Sequence, residues 1–326
     1  MSTRVLFLGG AGMIGTAAAT EAVRRGIDLT IVTRSEPKRE QAAGVRQVRA
    51  DVRDPDSLRG AIDGEEYDAV VNWVGFSPKD LDGQRELFQG RTGQYVFIST
   101  CSVFGRPVPQ LPITESSPRR QPVFTYAKEK IECEDVLERE YREHGFPVTI
   151  VRPFHTYDRT TVPLLSGWTA IERMRRGDGV IVHGDGTSLW SLTHSSDFAR
   201  AFVPLLGNQH AVGESVNVVS ADILTWDQIH LTLAAAAGVH DPRLVHRSSE
   251  TIAHEVPGWG DVLEHDFRHS MLFDTTKLRA LVPDFAPQVS FSAGAREVIE
   301  YHDAHEGHRG VSDELSAAFD RLIAAP

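Results

Sequence analysis

Apolar residues along this chain gather in short, nearly continuous runs. Arg4 to Leu8, read Arg-Val-Leu-Phe-Leu, is the first. Such a run predicts a parallel strand covered on both faces, since a half-solvated strand would alternate apolar and polar positions. Further strands are predicted at Asp28 to Thr33, Val45 to Ala50, Tyr67 to Val74, Tyr95 to Ser99, Pro147 to Arg152 and Ser215 to Val219. Helical stretches fall between them. One is Ala-rich, from Thr16 to Arg25, and is closed by Gly26; short helices are expected at Asp56 to Asp63 and around Leu81 to Phe88. Another starts near Thr125 and continues through Ile131 to Arg142, with apolar Ile131, Val136 and Leu137 among helix formers. Strand and helix in alternation predict an α/β chain with a parallel sheet. A helix at Trp226 to Ala237 follows the last strand, and no repeat or low-complexity segment interrupts the chain.

Length and charge narrow the picture. The 326 residues suffice for one large α/β domain or two smaller ones. With 34 basic and 45 acidic residues, the net charge of -11 repels phosphate backbones and argues against a nucleic-acid partner. Two cysteines, Cys101 and Cys133, make no disulfide framework, which fits a reducing cytosol and predicts a cytoplasmic protein. No apolar run reaches the length of a membrane span, and the first strand begins too near the initiator Met to leave room for a signal peptide.

Candidate chemistry begins after the first strand, where Gly9-Gly10-Ala11-Gly12-Met13-Ile14-Gly15 leads into a helix. Glycine at positions 9, 12 and 15 permits a tight turn, close approach of backbone to phosphate, and close packing of helix on strand. Free N–H groups and the positive dipole end of the helix suit a pyrophosphate, so the context predicts dinucleotide binding. The second strand ends in Thr33-Arg34-Ser35, where an NAD site usually places an acidic residue. Arg34, with Lys38 and Arg39 behind it, is suited to a 2′-phosphate and tilts the expectation from NAD towards NADP. Asp51 and Val52 follow the third strand, with Asp51 placed to face the adenine; Trp73 and Val74 end the fourth, at the crevice where ligands of open α/β sheets sit. Tyr126 and Lys130 stand four apart, on one face of the predicted helix. An ammonium beside a phenol favours the phenolate and makes Tyr126 an acid or base near neutral pH.

The glycine motif, Asp51-Val52, the run Phe97 to Gly105, Thr114-Glu115, Tyr126-x-x-x-Lys130 and Val151-Arg152-Pro153-Phe154 together resemble the extended short-chain dehydrogenase/reductase family of NAD(P)-dependent epimerases and dehydratases. The resemblance runs over nearly the whole chain. It implies a Rossmann-type doubly wound parallel sheet, built from residues 1–157 and 194–220, and a smaller C-terminal substrate-binding lobe, from 158–193 and 221–326. It also implies catalytic roles for Thr100, Tyr126 and Lys130. A hydroxyl at the end of the fifth strand holds the substrate oxygen; Tyr is the acid/base; Lys binds the nicotinamide ribose and depresses the Tyr pKa. Ser99 and Ser102 compete with Thr100 for the hydroxyl role. Pro153 and Phe154 are expected against the nicotinamide, and Ser77, Thr100, His155, Trp190 and Arg268 towards substrate.

Three departures from the family pattern bear on function. Trp190 stands where many members have an Arg that grips a substrate diphosphate; Trp stacks on rings but cannot clamp phosphate. His155 replaces the usual Asn after Arg-Pro-Phe and is a candidate hydrogen-bonding group or second proton carrier. The segment between the fourth and fifth strands is short, which trims a usual dimer surface and predicts a monomer or a homodimer. His302, His305 and His308, spaced by three, are read as a solvated terminal helix, and no metal site is expected. The leading function is a hydride-transferring epimerase or dehydratase of a sugar-like substrate. A ketoreductase using NADPH, or a non-catalytic cofactor-binding sensor, stands as the alternative.

Overall fold

A computed structural model describes residues 2–325. The first half runs β1 (Arg4–Leu8), α1 (Met13–Arg24), β2 (Asp28–Thr33), β3 (Arg46–Arg49), α2 (Pro55–Ala61), β4 (Ala69–Asn72), α3 (Gln84–Phe88), β5 (Tyr95–Ile98), α4 (Thr125–His144) and β6 (Val148–Pro153). It continues through β7 (Thr156–Tyr157), α5 (Trp168–Arg176), β8 (Val180–His183), β9 (Leu189–Trp190), β10 (Thr193–His194) and α6 (Ser195–Phe202). Then come β11 (Ser215–Val218), β12 (Leu224–Thr225), α7 (Trp226–Ala236) and β13 (Leu244–Arg247), before several further helices.

Seven of these strands form one parallel sheet in the order β11-β6-β5-β4-β1-β2-β3. Its alternation is readable in β1 itself. Val5 and Phe7 face one side with Ala18, Ala22, Phe198 and Phe202; Leu6 and Leu8 face the other with Leu58, Val70, Phe97 and Leu137. Both faces are covered, so each strand reads as a continuous apolar run. Strand order reverses between β1 and β4, and at such a switch point the loops part to leave a crevice at the carboxyl ends of the strands. This is the doubly wound Rossmann-type sheet that the motifs implied.

The chain leaves this sheet after β6 and returns for β11. Outside it, three short pairs, β7 with β10, β9 with β12 and β8 with β13, support a second core of helices and aromatic side chains. Trp168, Trp190, Trp226, Phe267 and Phe291 are buried there. One expectation changes at this point. His302 is only 3% exposed and stacks on Trp168, with ring centroids 4.8 Å apart, because its position on the helix Phe291–Ala304 faces the core. His305 and His308 are exposed as expected.

A buried ion pair ties α4 to the sheet. Glu134 receives hydrogen bonds from Arg152 Nε (2.9 Å) and Nη2 (2.7 Å), from Arg119 (2.7 Å) and from the Ser99 hydroxyl. Burying two ions is tolerable only with such complete pairing. The pair fixes α4, and therefore the side chains of its first turn, against the end of β5.

Candidate active site

The loop after β1 is shaped by contacts that only glycine permits. Gly9 and Gly10 have φ of +79° and +86°, and a Cβ on Gly15 would lie 2.1 Å from the Gly10 carbonyl oxygen. Gly12 is different: no atom lies within 4 Å of where its Cβ would be. It caps α1 without a side-chain hydrogen bond, and the first turn of α1 carries no acidic residue. The open space, the free N–H groups and the positive helix end fit a pyrophosphate laid against Gly12.

From that loop a crevice of about 900 Å³ extends across the switch point. It brings together most of the residues the sequence singled out. Gly9, Gly12, Met13, Ile14, Gly15, Arg34, Asp51, Val52, Trp73 and Val74 line one end; Thr100, Tyr126, Lys130, Pro153 and His155 line the other. Arg34 and Lys38 reach this crevice, and among the described residues neither has an ion-pair partner. Arg39 does: it binds Asp158 (2.6 Å) and Thr160 (2.8 Å), which withdraws it from the expected phosphate role.

At the far end, β5 delivers Thr100 and α4 delivers Tyr126 and Lys130. Tyr126 and Thr100 line the same end of the crevice, and the Thr100 hydroxyl accepts the Ser102 N–H at 3.1 Å. Ser99 donates to Glu134 and Ser102 lies off the crevice, so of the three hydroxyls Thr100 is the one left to face it. Lys130 is 2% exposed and donates to the carbonyls of Gly75 (2.7 Å) and Ile98 (2.8 Å). Asn72 prepares the first of these, because its side-chain oxygen accepts the N–H groups of Val74 and Gly75 and turns the chain after β4. The ammonium also lies over the rings of Phe97 (4.7 Å) and Phe76 (4.9 Å).

The electrostatics correct one expectation. Burial pushes the Tyr126 phenol up from its ordinary value, offset in part by the nearby Thr100 hydroxyl. Lys130 does not depress it in this arrangement; burial lowers the ammonium itself to about 8. The two groups therefore move apart in acidity, and Lys130 becomes the more acidic of the pair.

Four expected contacts lie elsewhere. Trp190 is 1% exposed and sits inside the aromatic core rather than on the crevice, 4.7 Å from Phe154, which is buried with it. Ser77 is absorbed in a tight turn, where Asp80 accepts its N–H and hydroxyl. Arg268 pairs with Glu250 on the surface. His155 lines the crevice, but burial lowers it to about 4 and keeps it neutral, so it is no proton carrier near pH 7. Phe76 was missed. It is 42% exposed, lines the crevice and covers Lys130; its apolar character just after β4 was the available signal. Among the described residues, no cluster of His, Cys, Asp and Glu is arranged to hold a metal ion, and no helix is long and apolar enough to cross a membrane.

Known proteins share this layout. A profile of the NAD dependent epimerase/dehydratase family matches residues 5–219. UDP-N-acetyl-alpha-D-glucosaminuronate decarboxylase of Bacillus cytotoxicus is 27% identical, across 92% of this chain and 98% of its own. UDP-glucose 4-epimerase of Streptomyces lividans is 26% identical, across 79% and 92%. Among solved structures, the UDP-glucose 4-epimerase of Thermotoga maritima, determined with UDP-glucose, superposes with a TM-score of 0.71 at 22% identity over 93% of this chain and 99% of that one. With the family profile covering about two thirds of its length, the chain belongs to the NAD dependent epimerase/dehydratase family, enzymes of the extended short-chain dehydrogenase/reductase type.

Proposed function

We propose that Thr100, Tyr126 and Lys130 carry proton transfer at a carbinol carbon of a sugar, with a nicotinamide cofactor lying along the crevice from Gly12 to Lys130. The single observation that carries the reading is the junction of these three side chains with the glycine loop in one continuous cavity. A bound NAD or NADP supplies the hydride acceptor and donor. Thr100 holds the substrate oxygen in line with the phenol, and Tyr126 removes its proton as the carbon is oxidised and restores it on reduction. Lys130 places a positive charge under that transfer. Gly9, Met13, Ile14 and Gly15 hold the pyrophosphate end; Asp51, Val52, Trp73 and Val74 flank the adenosine; Pro153 borders the nicotinamide. His155 faces the sugar.

Arg34 and Lys38 support NADP over NAD, since no carboxylate answers them at the end of β2. We divide the chain into a cofactor-binding unit, 1–157 and 194–220, and a substrate lobe, 158–193 and 221–326. The enzyme acts in the cytosol as a monomer or homodimer, in keeping with buried free cysteines and the five-residue α3.

The test is conversion. Protein loaded with NAD or NADP is offered UDP-glucose and UDP-N-acetylglucosaminuronate, and products are separated by chromatography. Epimerised or decarboxylated sugar formed without net cofactor consumption supports the reading. No conversion of either sugar by wild type contradicts its nucleotide-sugar form.

A further inference from the structure

The two departures that set this chain apart, Trp190 and His155, are joined. The Trp190 indole N–H donates to His155 Nδ1 at 2.7 Å. An indole nitrogen only donates, so Nδ1 must be a bare acceptor, and a neutral imidazole then carries its one proton on Nε2. Among the described residues the Trp190 bond to Nδ1 is the only protein hydrogen bond the ring makes, and the ring lines the crevice. Backbone geometry points the same way: with φ +26°, His155 is the only non-glycine among the described residues held in the left-handed region. Such strain persists where surrounding structure fixes a functional side chain.

The surroundings keep the ring uncharged. Phe267 (5.5 Å), Trp190 (5.9 Å) and Trp226 (6.3 Å between centroids) pack against it, and burial alone sets its acidity, with no charged group opposing. His183, behind Trp226, is lowered in the same way, and Arg106 next to Phe267 is neutralised by Asp266.

Resting on the sugar-directed reading above, we propose that Trp190 is a positioning residue that locks His155 as an Nε2–H donor aimed into the crevice. The donor takes an uncharged sugar oxygen, a hydroxyl or carbonyl, and the buried aromatic cluster behind it holds the imidazole in place. This part of the site selects substrate by a fixed neutral hydrogen bond where a phosphate clamp would select by charge.

The experiment is nuclear magnetic resonance on the full chain with ¹⁵N-labelled histidine, reading long-range proton–nitrogen correlations from pH 5 to 9. Wild type is expected to show His155 in the Nε2–H form throughout. Trp190→Phe, which keeps the aromatic packing and removes the donor, is expected to mix the tautomers. Trp226→Phe makes a similar truncation in the same wall without touching that hydrogen bond, and is expected to leave the tautomer intact. The Nδ1–H form in wild type, or a His155 signal that titrates between pH 5 and 7, overturns the lock even if Trp190→Phe fails to fold. Millimolar UDP-glucose added to NAD-loaded protein should shift the Nε2–H resonance, and Trp190→Phe should weaken that binding about fivefold. A resonance left unmoved overturns the donor role. A shift without conversion of UDP-glucose leaves the lock standing and removes the proposed reaction of that sugar, so the two failures are distinguishable.

Discussion

The two ends of the substrate side are built on opposite plans. At the catalytic corner, a buried Lys130 ammonium is held by two backbone carbonyls beside a phenol, and the corner rests on the Glu134–Arg152 ion pair. The wall of His155, Trp190, Trp226 and Phe267 is aromatic, and its histidine is neutral. In the proposed reading the corner performs the proton transfer, with charge kept in a low-dielectric place. The wall supplies, in the same reading, one fixed donor, His155, backed by buried rings. Reaction type and substrate choice are thus proposed to rest on separable parts of the molecule.

The contrast can be broken at either end. Tyr126→Phe keeps the ring and removes the acid/base, so turnover should fall roughly 10²–10⁴-fold in steady-state assays while cofactor affinity is retained. Support for the corner is tested by Glu134→Ala, which leaves Arg152 buried without its partner. Urea denaturation should register a loss of about 3–5 kcal/mol. The Glu134 carboxyl is held below its ordinary value despite burial, chiefly by Arg152, so its contribution is full above pH 4.5 and disappears as pH falls below that.

The wall responds to pH with its own window. An unfolded histidine takes up a proton near pH 6.5, whereas folded His155 and His183 resist until about 4. The unfolded state therefore binds more protons in this interval, and stability should fall as pH drops from 6.5 to 4. His155→Asn should remove about 2–3 kcal/mol of that fall, read from denaturation at the two pH values. A smaller effect separates folding from binding within the glycine loop. Gly12→Val places its side chain in open space, so the unfolding midpoint should hold while cofactor affinity drops roughly 100-fold by calorimetry. Gly15→Ala instead drives a Cβ into the Gly10 carbonyl and should cost stability. Smallest is Arg34→Ala, expected to weaken NADP about tenfold and NAD hardly at all.

The corner was legible in the sequence because its signals are local. Gly9 to Gly15 follow a buried strand directly, Tyr126 and Lys130 share a helix turn, and strand limits at Arg4–Leu8 and Asp28–Thr33 coincide with the apolar runs. The wall was not, since its members come from the link between β6 and β7, from β9, from α7 and from the helical turn Leu263–Phe267, and meet only in three dimensions. Trp190 was expected to stack on substrate from its place in the order of motifs; pairing of β9 with β12 turns it into the core. Arg39 looked as available as Arg34, and only the fold brings Asp158 to it, 119 residues away. The lowered ammonium of Lys130 likewise depends on burial, which spacing along a helix cannot report.

The most direct measurement follows reduced-nicotinamide absorbance after rapid mixing of NAD-loaded protein with UDP-glucose, wild type beside Tyr126→Phe. Wild type is predicted to give a transient rise within one turnover, and Tyr126→Phe, with the same amount of cofactor bound, none above baseline. An equal rise at an equal rate in both proteins would contradict the assignment of proton transfer to Tyr126.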